Sequence, residues 1–147
     1  MTPSEGARTN AIVLDTDVFS YLLKGTHDRA ARYHTHVRNR TVAIAFVTIG
    51  EVYSGLFRKG VGQPLFDAFE AQLRAVVVIP YNRDICRVYG RLGLEKTDSG
   101  SDSVIGVNDR WIAACAIHHK LLLVTNNRRH FEGITGLTII SEAGNTA

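Results

Sequence analysis

The chain has 147 residues, 45% of them hydrophobic and 21% charged, with a formal net charge of +3. That length suits one domain with a sizeable core, and the balance excludes a disordered chain. No apolar run approaches the roughly 18–20 residues needed to cross a bilayer, residues 1–10 lack the apolar centre of a signal peptide, and the mild basic excess is compatible with a nucleic-acid partner without requiring one.

Residues 11–14 form an apolar run that stops at Asp15, the pattern of a buried strand followed by a polar turn. A helix over 18–23 follows, with Thr16 or Asp17 as its N-cap and Gly25 just past its end. Next come a more exposed helix over 28–38, a β-branched strand over 42–47, and a helix capped by Thr48 that runs through Phe57. Beyond Gly60 and Gly62, helical spacing covers 64–74, and a third strand over 76–79 is closed by Pro80. Asn82 caps a helix from Arg83 to about Glu95, and the polar stretch 97–103, with Gly100 in its middle, reads as a loop. A helix over 108–119, a strand over 121–124 and a short fifth strand over 137–140 complete the order. Domain limits follow: a disordered leader over 1–10, a folded domain over 11–141 and a tail over 142–147. Cys86 and Cys115, the two cysteines, sit in apolar helical stretches and read as buried thiols, which fits a cytoplasmic protein.

Strands alternating with helices predict an α/β, three-layer sandwich with a central parallel sheet of four to five strands. In such sheets the functional crevice lies at the carboxyl ends of the strands, near a topological switch point. Asp15, Thr48 and Thr125-Asn126-Asn127 each follow a predicted strand, so they are expected at one edge.

Asp109 stands at the head of an apolar helix face formed by Ile112, Ala113, Ala116 and Ile117. A carboxylate aimed at a core is costly unless something positive meets it, although an N-cap role is the plainer alternative. Glu51 has Val47, Thr48, Ser54 and Gly55 as its helical neighbours, small or apolar residues that leave room for a cation and its waters; a solvated surface glutamate is the alternative. Asp15 ends a strand, and Asp17 either caps the next helix or joins the site, with capping the simpler reading. Converging carboxylates repel one another and raise a pKa, a conflict that a hard divalent cation resolves. Arg128, Arg129 and His130 are candidate phosphate contacts, or a solvated turn; Lys24, Arg58 and Lys59 are further candidates that the sequence does not rank. The six histidines form no metal constellation and read as surface residues.

The segments 12–17, 47–51, 105–114 and 124–131, four motifs in order on the expected elements, resemble the PIN domain, and more closely the VapC-type toxins of bacterial toxin–antitoxin pairs. That resemblance implies cleavage of RNA phosphodiester bonds by water with Mg²⁺ or Mn²⁺, leaving a 5′-phosphate and a 3′-hydroxyl. It places the family's first three acids, which bind metal and act in catalysis, on Asp15, Glu51 and Asp109. Thr125 matches the hydroxyl residue beside the site, Thr16 is expected to support it, and Asn127 stands where the family often has a fourth acid, which weakens a second metal position. The resemblance further implies a homodimer silenced by a small VapB-like antitoxin. Asp15-Thr16-Asp17-Val18 also resembles the first motif of haloacid-dehalogenase phosphatases, but no downstream strand ends in the pair of acids that family needs. A catalytically inactive domain that only binds RNA or protein is the remaining alternative.

Overall fold

A computed structural model describes residues 10–25, 28–95 and 105–143. Five parallel strands, β1 (Ala11–Leu14), β2 (Thr41–Ala45), β3 (Val77–Ile79), β4 (Leu122–Val124) and β5 (Ile139–Ile140), form one sheet in the order β3-β2-β1-β4-β5. From β1 the chain first builds outward through β2 and β3, then returns to place β4 on β1's other side, Leu14 beside Val124. The switch point therefore lies between β1 and β4.

Alternation along the strands sorts the core into two layers. Ile12, Leu14 and Ile44 face helices α1 (Thr16–Lys24), α2 (Asp28–Val37), α3 (Phe46–Lys59) and α4 (Gln63–Arg74), whose Phe19, Tyr33, Val52, Leu56 and Phe69 cover that side. Val13, Ala43 and Leu123 face α5 (Arg83–Leu92), α6 (Val107–His119) and α7 (Arg128–Phe131). The three-layer α/β sandwich read from the sequence is the architecture found.

Local boundaries moved where tertiary contacts overrode propensity. Strand β2 ends at Ala45 and α3 begins at Phe46 with no side-chain cap, so Thr48 lies inside the first turn, fully buried, instead of capping it. Phe46 and Val47 favour strands only in the abstract, because strand preference mainly reports packing. Asn82 caps α5 as expected, its Oδ1 accepting the Asp84 N–H at 2.7 Å, but the helix stops at Leu92. Cys115 is buried, whereas Cys86 is only half-buried, and both are free thiols. The predicted loop over 97–103 lies outside the described residues, as do most of the leader and the end of the tail.

Helix α6 is anchored against α5 just where it begins. Tyr89 stacks on Trp111 with ring centroids 3.8 Å apart, and the Arg110 guanidinium lies 3.9 Å from the Tyr89 centroid. A Cβ at Gly93 would fall 2.5 Å from Arg110 Nη1, so glycine is what lets that arginine lie flat. Asp109 directly precedes this clamp and inherits its position.

Candidate active site

Asp15 closes β1 and opens α1, and its carboxylate works in both. Oδ1 accepts the Val18 N–H at 2.9 Å, which makes Asp15 itself the N-cap and corrects the expectation of Thr16 or Asp17. Oδ2 accepts the Thr125 hydroxyl at 2.5 Å from the end of β4. The residue is 3% exposed. Burial pushes its pKa up to about 7 against the pull of these two hydrogen bonds, and the negative charges of Asp17 and Asp109 push the same way.

The loop after β4 is built to hold this contact. Thr125, fully buried, accepts the Asn127 N–H at 2.9 Å while donating to Asp15. The Asn127 amide donates to the Asp17 carboxylate. Tyr33, buried beneath, lies 2.8 Å from Asn126 Oδ1 and 3.2 Å from the Thr125 carbonyl, and accepts the Glu142 N–H at 3.0 Å.

Asp109 occupies the first turn of α6, whose N-cap is Gly106, so capping does not explain its carboxylate. Its side chain keeps 32% exposure, and Oδ2 lies 3.1 Å from His130 Nδ1. Burial raises its pKa, His130 opposes that, and the Asp17 charge adds to it.

Glu51 approaches from the α3 wall of an open cleft of about 700 Å³ that Thr16, Asp17 and Asn108 also line. Its Oε1 accepts the Thr16 hydroxyl at 2.7 Å. Because Thr16 has one proton to give, the Thr48 hydroxyl 3.0 Å away donates to it, and a buried threonine thus orients Glu51 at one remove. A Cβ at Gly50 or Gly55 would meet nothing within 4 Å, so the wall beside Glu51 is open, as its small neighbours predicted.

Asp15, Asp17 and Asp109 thus feel one another's charge, while Glu51 stands across Thr16 on the opposite wall. Among the described residues no three acidic, imidazole or thiol groups meet at ligand spacing around one point. Arg129 is exposed, but Arg128 is partly engaged in structure, 3.4 Å from the Ser141 carbonyl and 3.7 Å from Glu132. Two further groups join these acids. Asp17, which the sequence left between capping and the site, accepts the Asn127 amide and adds its charge, and His130, read as a surface residue or phosphate contact, touches Asp109. No periodicity marks such a histidine, whereas Asp17's place two residues past Asp15 did leave both roles open.

A family model for the PIN domain matches residues 12–137. Ribonuclease VapC1 of Haemophilus influenzae (strain R2866) is 31% identical over 126 residues, 85% of this chain and 92% of that protein. The VapC ribonuclease Y4jK of Sinorhizobium fredii is 33% identical over 138 residues, 88% and 96% of the two chains. Among solved structures, VapBC-1 from nontypeable Haemophilus influenzae matches with a TM-score of 0.70 at 29% identity, over 89% of this chain and 97% of that one. The Rickettsia felis VapBC2 complex with a promoter DNA fragment shares the fold, with a TM-score of 0.74 at 24% identity and coverage of 89% and 98%. The match across nearly the whole sheet displaces the phosphatase alternative, and the chain belongs to the PIN domain family, in its VapC branch.

Proposed function

We propose that this protein is the toxin of a toxin–antitoxin pair, an endoribonuclease that hydrolyses RNA phosphodiester bonds in the presence of Mg²⁺ or Mn²⁺. The observation that carries the reading is Asp15: a carboxylate almost without solvent, kept beside two further aspartates, with its pKa raised to about 7. Such an arrangement opposes its own ionisation unless positive charge joins it. The surrounding donors are carboxylate, hydroxyl and amide oxygens, a set that suits a hard divalent cation.

Asp15, Glu51 and Asp109 are assigned to hold that ion and to act in catalysis, with Thr16, Thr125 and Asn127 in support. When bound, the cation supplies positive charge against the phosphate and makes water a stronger acid. The chain's own groups do the positioning: Thr125 and the Val18 N–H fix Asp15, Thr16 aims Glu51, and His130 steadies Asp109. Water oxygen bonds to phosphorus, the P–O3′ bond breaks and a proton passes to the departing oxygen, leaving a 5′-phosphate and a 3′-hydroxyl. Relatives named as VapC ribonucleases, and neighbours solved as VapBC complexes, support the activity and a small VapB-like antitoxin as partner. A homodimer acting in the cytoplasm completes the reading; among the described residues no helix is long and apolar enough to cross a membrane.

The test is cleavage of total RNA by the purified chain with Mg²⁺ or Mn²⁺ and with chelator, beside Asp15→Asn, Glu51→Gln and Asp109→Asn. Cleavage that needs the divalent ion and is lost in each variant is expected. Persistence in chelator, or full activity of Asp109→Asn, overturns the proposal.

A further inference from the structure

The cleft beside Glu51 has a second end. Along α1, Thr16 and Ser20 line it, and Lys24 continues that stripe four residues on, in the last turn. Along α3 the lining runs through Glu51 and Ser54 to Arg58, with Lys59 beside it in the last turn. Residues three or four apart share a helix face, so both walls pass from acid or hydroxyl, through a small hydroxyl, to cation. The cations sit at helix C-termini, where main-chain carbonyls favour positive charge.

Lys24, Arg58 and Lys59 are all exposed, and among the described residues none is in an ion pair. Arg58 Nη2 donates to Ser54 Oγ at 3.2 Å, which lays the guanidinium along the wall. Contact with Lys59 is the leading cause holding the Lys24 ammonium below the ordinary lysine range, followed by partial burial and the Lys59 charge. Two lysines that feel each other across α1 and α3, at the end of the wall on which the Arg58 guanidinium lies, make a place for an anion.

We propose that this end of the cleft is a phosphate subsite for RNA, in which Lys24, Arg58 and Lys59 hold a backbone phosphate other than the one being cleaved. Lys24 lies eight positions on from Thr16 in α1, about 12 Å along the helix axis, so the cations engage the strand at a distance from the acids. Between the two ends Ser20 and Ser54 offer hydroxyls, each both donor and acceptor, which complement a ribose 2′-hydroxyl. The inference rests on the nuclease reading only for which phosphate is cut.

The experiment measures binding of a labelled random-sequence oligoribonucleotide of about ten nucleotides, within the span of known single-strand sites. Asp109→Asn serves as the uncleaving background. Adding Lys24→Ala, Arg58→Ala and Lys59→Ala is expected to weaken binding at least about tenfold and to flatten the slope of log K against log salt by about 0.7 for each phosphate no longer neutralised. In the cleaving chain the same triple change raises KM and leaves kcat in place, and Lys24→Arg with Lys59→Arg retains binding because charge is kept. An unchanged salt slope with cleavage intact overturns the subsite and spares the nuclease. A flattened slope when the parent chain cuts no RNA supports the subsite and removes the nuclease reading. Weakened binding of an acidic protein partner alone, with RNA affinity unchanged, also overturns it.

Discussion

Asp15 is gripped from two directions in the seam between β1 and β4, by the main chain of α1 and by a buried threonine, whereas Glu51 leans on one half-buried threonine from the side of an open cleft. The same functional group is buried and held by two donors in one place, half-buried and held by one in the other. Desolvation makes Asp15 the site's electrostatic liability, and its pKa of about 7 records that cost. Under the proposed reading, the charge that would draw a cation is concentrated at the seam, while the cleft wall keeps room for substrate.

The largest effect that tests this contrast is the pH dependence of stability. Because folding raises the Asp15 pKa from an ordinary aspartate value to about 7, the folded chain binds a proton that the unfolded chain has released. Stability of the metal-free protein should fall as pH rises from about 4 to about 7, by on the order of 4 kcal/mol, and level off above. Burial raises the Asp109 pKa in the same direction. In Asp15→Asn the amide can still accept from Val18 and donate to Thr125, so this variant should lose much of the slope and melt above the parent at pH 8, while losing cleavage if the proposed site is right. Thermal melts in chelator across that range decide it; a parent melting temperature flat with pH breaks the comparison.

Thr125→Val should come next, at about 2 kcal/mol of stability, because it withdraws a donor from a buried carboxyl and leaves the Asn127 N–H without its acceptor. Chemical denaturation measures this, and a loss under about 0.5 kcal/mol would assign Asp15's geometry to the α1 cap alone. Glu51→Gln should change stability least, within about 0.5 kcal/mol, while lowering cleavage about a hundredfold or more. A comparably stable Glu51→Gln that still cleaves would make Asp15 and Asp109 sufficient.

Much of the frame was legible in the sequence for a definite reason. Asp15 ends a short apolar run, and the order of strands and helices puts such ends at one edge; both follow from periodicity. Asp109 was visible because a carboxylate headed an apolar helix face. What stayed hidden depends on direction across long separations. Asp15, which caps α1 in place of Thr16 or Asp17, also takes a hydrogen bond from Thr125, 110 residues away, and His130 reaches Asp109 from the short α7. The early start of α3 follows from β2 running straight into it, which a local reading of Phe46-Val47 does not reveal.

The middle of the sheet is completed by its fourth strand, which takes its place against the first only after more than a hundred residues of intervening chain. A nascent polypeptide emerging from the ribosome therefore carries Asp15, Glu51 and Asp109 before it has the strand that seats the first of them. Synthesis interrupted between Asp109 and Leu122 yields a fragment that carries all three acids and lacks the strand against which Asp15 is seated.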